Sequence, residues 1–283
     1  MDLDGFAIRW HYGAVTEISR RRLLQMGATL GAGAALLPTL AAPARAAADV
    51  TSGSFVSEAR GGIPTGWKVA RPPGVDWPVR PVIMLHGRDE NAERTIYWGY
   101  ERMLGDLVAA GAPPFAVAAI DGGNSYWHPH QNGDDPGAMI IDEFLPMLAD
   151  QEGLDVSRVA FMGWSAGGYG ALLNGARLGG PRTAAVAAVS PSIWLSYPEA
   201  TADAFDNEEN WEENSVFGRP QLNGMPVWVS SGYDDRFYTA SKVFAEQLAA
   251  PPAGEFGPGA HEGGYWLSQV PQALGWIAPI LAA

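Results

Sequence analysis

The chain has 283 residues, of which 47% are hydrophobic and 17% charged, a balance that suits a globular protein rather than a disordered one. It contains no cysteine, which excludes disulfides, thiolate nucleophiles, cysteine-ligated zinc and lipid attachment at cysteine. Its net charge of −13 opposes polyanionic partners, so neither nucleic acid nor an anionic membrane surface is expected to bind it.

Residues 19–25 read SRRRLLQ, with Arg20 and Arg21 following Ser19 and preceding Leu23 and Leu24. A Gly/Ala-rich apolar stretch covers residues 26–42, and Ala44-Arg45-Ala46 supplies a small-x-small cleavage pattern. This order resembles a twin-arginine export signal. Residues 1–46 are therefore expected to be a leader, and the protein to be secreted or extracytoplasmic, meeting a membrane only through that leader. Without the leader the chain carries 13 basic and 28 acidic residues, a net −15. No later apolar run reaches membrane-spanning length.

Residues 47–64 are polar, glycine-bearing and aperiodic, and read as a linker before a single catalytic domain at 65–283. Within that domain, 81–85 (PVIML) predicts a short buried strand ending at His86-Gly87. Helical spacing over 100–110 is followed by a second buried strand at 115–120 (FAVAAI). An amphipathic helix is expected over 138–148. A third strand at 158–162 (RVAFM) is followed by a helix reaching about Arg177. Further strands are expected at 184–189 (AAVAAV) and 227–230 (VWVS), with helices at 240–248 and 267–281. Residues 199–219 are acidic and punctuated by Trp and Phe, and predict a short helical excursion. Continuous apolar strands alternating with amphipathic helices imply an α/β fold. Its sheet should be mainly parallel, covered by helices on both faces, without a large cap domain. Ligands bind such sheets at the carboxyl ends of the strands.

At one such strand end lies Gly163-Trp164-Ser165-Ala166-Gly167, a G-x-S-x-G sequence between a strand and a helix. That context makes Ser165 the candidate nucleophile. A sharp strand-to-helix turn lifts the hydroxyl clear of the sheet, and the helix N-terminus offers unpaired N–H groups beside it. A serine needs a base, and the base needs an orienting acid, in the chain order Ser, acid, His. His261 is the one histidine downstream of Ser165. After the strand at 227–230 the sequence offers Asp234 and Asp235; the strand-Gly-x-x-Asp spacing favours Asp235, with Asp234 as the alternative. The backbone N–H groups of Ala166 and Arg88 are the candidate oxyanion donors. His86 precedes the nucleophile and is expected to hydrogen-bond within its loop.

His128 and His130 form a His-x-His pattern near Asp134 and Asp135. The pattern has no firmly placed third ligand, so the loop reads as pocket lining, with no metal and no cofactor expected. Trp127, Trp164, Trp194 and Trp266 lie at or near strand-end loops and are candidates to stack on an aryl or sugar ring.

Four segments, VIMLHGRDEN, GWSAGGYGALL, SSGYDDRF and AHEGGYW, occur in this order within residues 65–280. Together they resemble the esterase D-type family of the α/β-hydrolase superfamily. That family includes S-formylglutathione hydrolases, secreted carbohydrate and feruloyl esterases, and the antigen 85 mycolyltransferases. The resemblance implies an α/β-hydrolase fold with Ser165, Asp235 and His261 as triad, and Ala166 and Arg88 as oxyanion donors. It implies hydrolysis of a small-molecule or glycan-linked ester, with a short acyl, aryl or sugar group, through an acyl-enzyme. The alternative it carries is acyl transfer to a sugar alcohol, and a remoter one is a non-catalytic binding module. Trp164 and Ala166 depart from the family's commoner residues, which bears on the substrate rather than on the triad.

Overall fold

The computed structural model describes residues 49–97 and 99–283. The leader expected at 1–46 lies outside the described residues.

The segment read as a linker is instead a hairpin. Strand β1 (Val50–Ser57) pairs antiparallel with β2 (Ile63–Ala70), in register from Val50 opposite Ala70 to Ser57 opposite Ile63. Gly61 and Gly62 close the turn at φ of 66° and 87°, a region that favours glycine. Gly62 N–H donates to Ser57 O at 2.8 Å. β1 forms the sheet edge and is exposed along most of its length, so no buried face imposes a two-residue period on its sequence. From the turn, Arg60 reaches inward to a buried ion pair with Asp134, Nε to Oδ1 at 2.9 Å, their side chains 5% and 10% exposed. Arg60 also donates to Asp121 O at 3.0 Å, which ties the hairpin to the loops beyond the sheet.

From the hairpin the chain enters β3 (Pro81–Leu85), then α1 (Ala92–Tyr97) and α2 (Tyr100–Ala109), then β4 (Ala116–Ile120). One helical run follows, made of α3 (Pro136–Ala138), a π-helical stretch (Met139–Phe144) and α4 (Leu145–Asp150). Strand β5 (Val159–Trp164) leads into α5 (Ala166–Leu178) and β6 (Thr183–Val189). A 3₁₀ turn and α6 (Glu208–Asn214) make up the excursion before β7 (Val227–Gly232). The chain closes with α7 (Tyr238–Gln247), β8 (Phe256–Gly257) and α8 (Gly263–Ala282).

The eight strands form a sheet ordered β1-β2-β4-β3-β5-β6-β7-β8, parallel from β4 through β8. β3 to β7 are fully buried because each has a helix layer on either face. Alternation along β3 divides the core in two. Ile83 and Leu85 pack with residues of α4, α5 and α7, whereas Val82 and Met84 pack with α1, α2 and α8. The carboxyl ends of β3, β5 and β7 thereby deliver His86, Ser165 and the Tyr233–Asp235 loop to one edge of the sheet.

Candidate active site

Ser165 sits between β5 and α5 with φ 53° and ψ −123°, a conformation that a non-glycine residue holds only under constraint. The constraint is close packing. A Cβ on Gly167 would lie 1.9 Å from Leu85 O, and one on Gly163 would lie 2.4 Å from Gly167 C and O. Only glycine at both positions lets the elbow press against the end of β3. The backbone of Ser165 is pinned as well, its N–H donating to Val189 O at 3.1 Å and its carbonyl accepting from Ser192 N–H at 2.9 Å.

Three side chains from separate loops then meet. Ser165 Oγ lies 2.9 Å from His261 Nε2. His261 Nδ1 lies 3.1 Å and 3.0 Å from the two carboxylate oxygens of Asp235. Of the two candidate acids the structure brings Asp235 to His261, while Asp234 is exposed with its N–H on Gly259 O at 2.9 Å. Burial works to raise the pKa of Asp235. The hydrogen bond and charge of His261, with Phe237 N–H donating at 2.8 Å, outweigh it and hold the carboxyl below the usual range. Asp235 therefore stays ionised and fixes which imidazole nitrogen faces Ser165. Rings of Phe237 and Trp266 flank His261 edge-on, both at 5.0 Å between centroids.

Ala166 opens α5, so its N–H has no acceptor within the helix. Arg88 lies in the loop after β3, and the residues before it are held in place. The His86 ring donates from Nδ1 to Gly87 O at 2.7 Å and accepts from Gly122 N–H at Nε2, at 2.9 Å. Burial lowers the pKa of His86 and keeps it neutral, which this one-donor, one-acceptor arrangement requires. His86 thus braces the loop, as its position before the nucleophile suggested.

Two of the four candidate stacking tryptophans are placed otherwise than expected. Trp127 is 2% exposed, and its indole fills a slot left by Gly122 and Gly170, where a Cβ would come within 2.5 Å of it. Trp164 is 0% exposed because it is the last residue of a fully buried strand and faces the α8 layer. Neither presents a face to a substrate. Trp194 borders a cleft of about 400 Å³ together with Ile193, Leu195, Glu199, Arg236 and Phe237. Trp266 is half-buried beside His261.

The His-x-His loop serves mainly to dock the acidic excursion. His128 Nε2 meets Ala204 O at 2.8 Å, and His130 Nδ1 meets Asp206 Oδ1 at 2.9 Å. Burial, with His130 close by, pushes the pKa of His128 down to about 4, so it is a neutral core residue. Asp134 is engaged by Arg60, and Asp135 caps α3 through Ala138 N–H at 2.9 Å. Ser192 was not legible in the sequence, yet its Oγ lies 3.1 Å from Ser165 Oγ. Its position directly after β6 (SPS) was the one available signal.

No protein-family model matches the chain, and no curated protein sequence matches it. Solved structures do resemble it. A ferulic acid esterase superposes with a TM-score of 0.72 at 22% identity, covering 83% of this chain and 99% of its own. A fluorophosphonate-binding serine hydrolase of Staphylococcus aureus gives 0.68 at 18% identity, over 82% and 99%. An S-formylglutathione hydrolase from Agrobacterium tumefaciens gives 0.65 at 16% identity, over 83% and 96%. At such identities the likeness is one of architecture: the chain has the α/β-hydrolase fold.

Proposed function

We propose that this chain is a serine carboxylic-ester hydrolase that works through an acyl-enzyme. The observation that carries the reading is the continuous array Ser165–His261–Asp235, with contacts of 2.9 Å and 3.0 Å, at a strained strand-to-helix elbow. In the first step His261 Nε2 takes the Ser165 proton as Oγ attacks the ester carbonyl. Asp235 stabilises the imidazolium so formed. The negative oxygen of the tetrahedral intermediate is received by the N–H groups of Ala166 and Arg88. His261 then gives its proton to the departing alcohol, and water, activated in the same way, releases the acid.

Two hollows at this edge support a small ester as substrate. The cleft at Trp194 adjoins the site through Phe237, which touches His261, and its Ile193–Leu195 wall suits a short acyl or aryl group. A more polar hollow of about 480 Å³, bordered by Asn124, Ser125, His130, Asn132, Asp203 and Asp206, suits the hydroxyls of a sugar. The test is a fluorophosphonate probe on purified protein, with the adduct mapped to Ser165. It is run beside a chain-length series of p-nitrophenyl esters, acetylated sugars and feruloyl esters. Labelling is expected at Ser165, with kcat/KM greatest for short or aromatic acyl groups. No adduct on Ser165 would defeat the nucleophile assignment, and a kcat/KM rising steadily toward palmitate would defeat the size preference.

The same proposal places the enzyme outside the cytoplasm, on the strength of the SRRRLL sequence and the small-x-small end of residues 1–46. Changing Arg20 and Arg21 to Lys, together with Arg22 so that no pair reforms, is expected to abolish export of the full-length chain. Unchanged export would rule out the twin-arginine route.

A further inference from the structure

We propose that Glu90 is a positioning residue for the oxyanion site: one of its carboxylate oxygens ties the backbone of Gly87 to the indole of Trp164 and thereby sets where the Arg88 N–H points. The inference rests on the esterase reading above.

Glu90 Oε2 accepts from Gly87 N–H at 3.0 Å and from Trp164 Nε1–H at 2.7 Å. Gly87 belongs to the loop after β3, and Trp164 is the residue immediately before Ser165. A single oxygen therefore joins the loop that supplies one oxyanion donor to the strand that supplies the nucleophile. The contact is close on every side: a Cβ on Gly87 would meet Trp164 Nε1 at 3.1 Å and Glu90 Oε2 at 3.2 Å. On the far side of Arg88, Asp89 is held by a reciprocal pair with Asn124. Asp89 N–H donates to Asn124 Oδ1 at 2.9 Å, and Asn124 Nδ2 donates to Asp89 Oδ1 at 2.8 Å. With His86 braced by Gly122, both flanks of Arg88 are fixed, and Glu90 is the tie that refers them to the nucleophile.

The choice of residue follows from chemistry. A carboxylate oxygen has two lone pairs and can accept both bonds at once. Burial pushes the Glu90 carboxyl up, and the bonds from Trp164 and Gly87 work against that rise. Holding an acid at this half-buried place costs stability, which the two bonds offset only in part. The return is geometric. Oxyanion donors act at the distance of the developing charge, and loss of one lowers kcat by about 10²- to 10³-fold.

The experiment compares Glu90→Ala, Glu90→Gln and Glu90→Asp in the full protein, by kcat and KM on p-nitrophenyl acetate and by fluorophosphonate labelling. Glutamine keeps an accepting oxygen at the same reach without the charge. Aspartate keeps the charge but is one methylene too short. We expect the Ala and Asp variants to lose about 10²-fold in kcat with KM within about threefold, and the Gln variant to stay within about tenfold of wild type. If the Ala variant fails to fold, the order of Gln above Asp decides. Gln no better than Asp, a loss confined to KM, or all variants within about threefold of wild type overturns the proposal. A wild-type protein that neither hydrolyses esters nor takes the label overturns the esterase reading and this inference together. An active wild type with unaffected variants overturns this inference alone.

Discussion

Ser165→Ala will lower kcat on an activated aryl acetate by about 10³-fold or more while leaving the melting temperature near native. Among the described residues the Oγ contacts the side chains of His261 and Ser192 and no backbone group, so its removal takes away the proposed nucleophile without loosening the elbow. The elbow is held by glycine packing and by backbone bonds, all of which alanine preserves. His261→Ala will lose a similar factor, because Ser165 then has no base. Asp235→Asn will fall far more than Asp234→Asn. Asp235 is buried with both oxygens on His261 Nδ1, whereas Asp234 is exposed. An amide at 235 can donate to the imidazole and turn its proton toward Ser165, the wrong tautomer for a base. Steady-state kinetics beside thermal melts check these outcomes. Near-native turnover by Ser165→Ala would remove the nucleophile assignment, and equal losses at 234 and 235 would remove Asp235 as the orienting acid.

Arg60→Met will cost about 3–5 kcal/mol of folding stability, the range for removing one partner of a buried ion pair. Asp134 would keep the hydroxyl of Ser125 but lose both guanidinium contacts, Nε at 2.9 Å and Nη2 at 3.2 Å. The hairpin turn would also lose its bond to Asp121 O. A double variant, Arg60→Met with Asp134→Leu, should recover part of this loss, since no charge is then stranded. Urea unfolding measures both, with a shifted midpoint and an unchanged slope. A loss below about 1 kcal/mol for Arg60→Met would show that the hairpin is not anchored by this pair.

The elements that were legible in the sequence are those whose surroundings are uniform. β3, β4, β5, β6 and β7 are covered on both faces, so burial writes itself as unbroken apolar runs such as PVIML and AAVAAV. Ser165 was legible for a local reason too. A turn in which a Cβ at 163 would lie 2.4 Å from Gly167, and one at 167 would lie 1.9 Å from Leu85 O, demands glycine at both positions, and that demand shows within five residues of chain. His261 followed by elimination, as the one histidine downstream.

What the tertiary structure alone decided involves residues far apart in the chain. The β1–β2 hairpin has an exposed edge and an anchor 74 residues away, at Asp134, so its sequence resembles a linker. Asp234 and Asp235 differ by one position; the spacing after β7 favoured Asp235 without excluding Asp234, and the path of that loop turns the Asp235 carboxylate inward to His261. Trp127 lies in the loop after β4 and Trp164 ends β5, places where a ring can face a substrate or the core; the glycine slot and the helix layer that bury them come from other segments. Glu90 and Ser192 leave no local period for the same reason. Their partners are Trp164 and Ser165, 74 and 27 residues distant, and a hydrogen bond between separate loops imposes no pattern on the residues beside it.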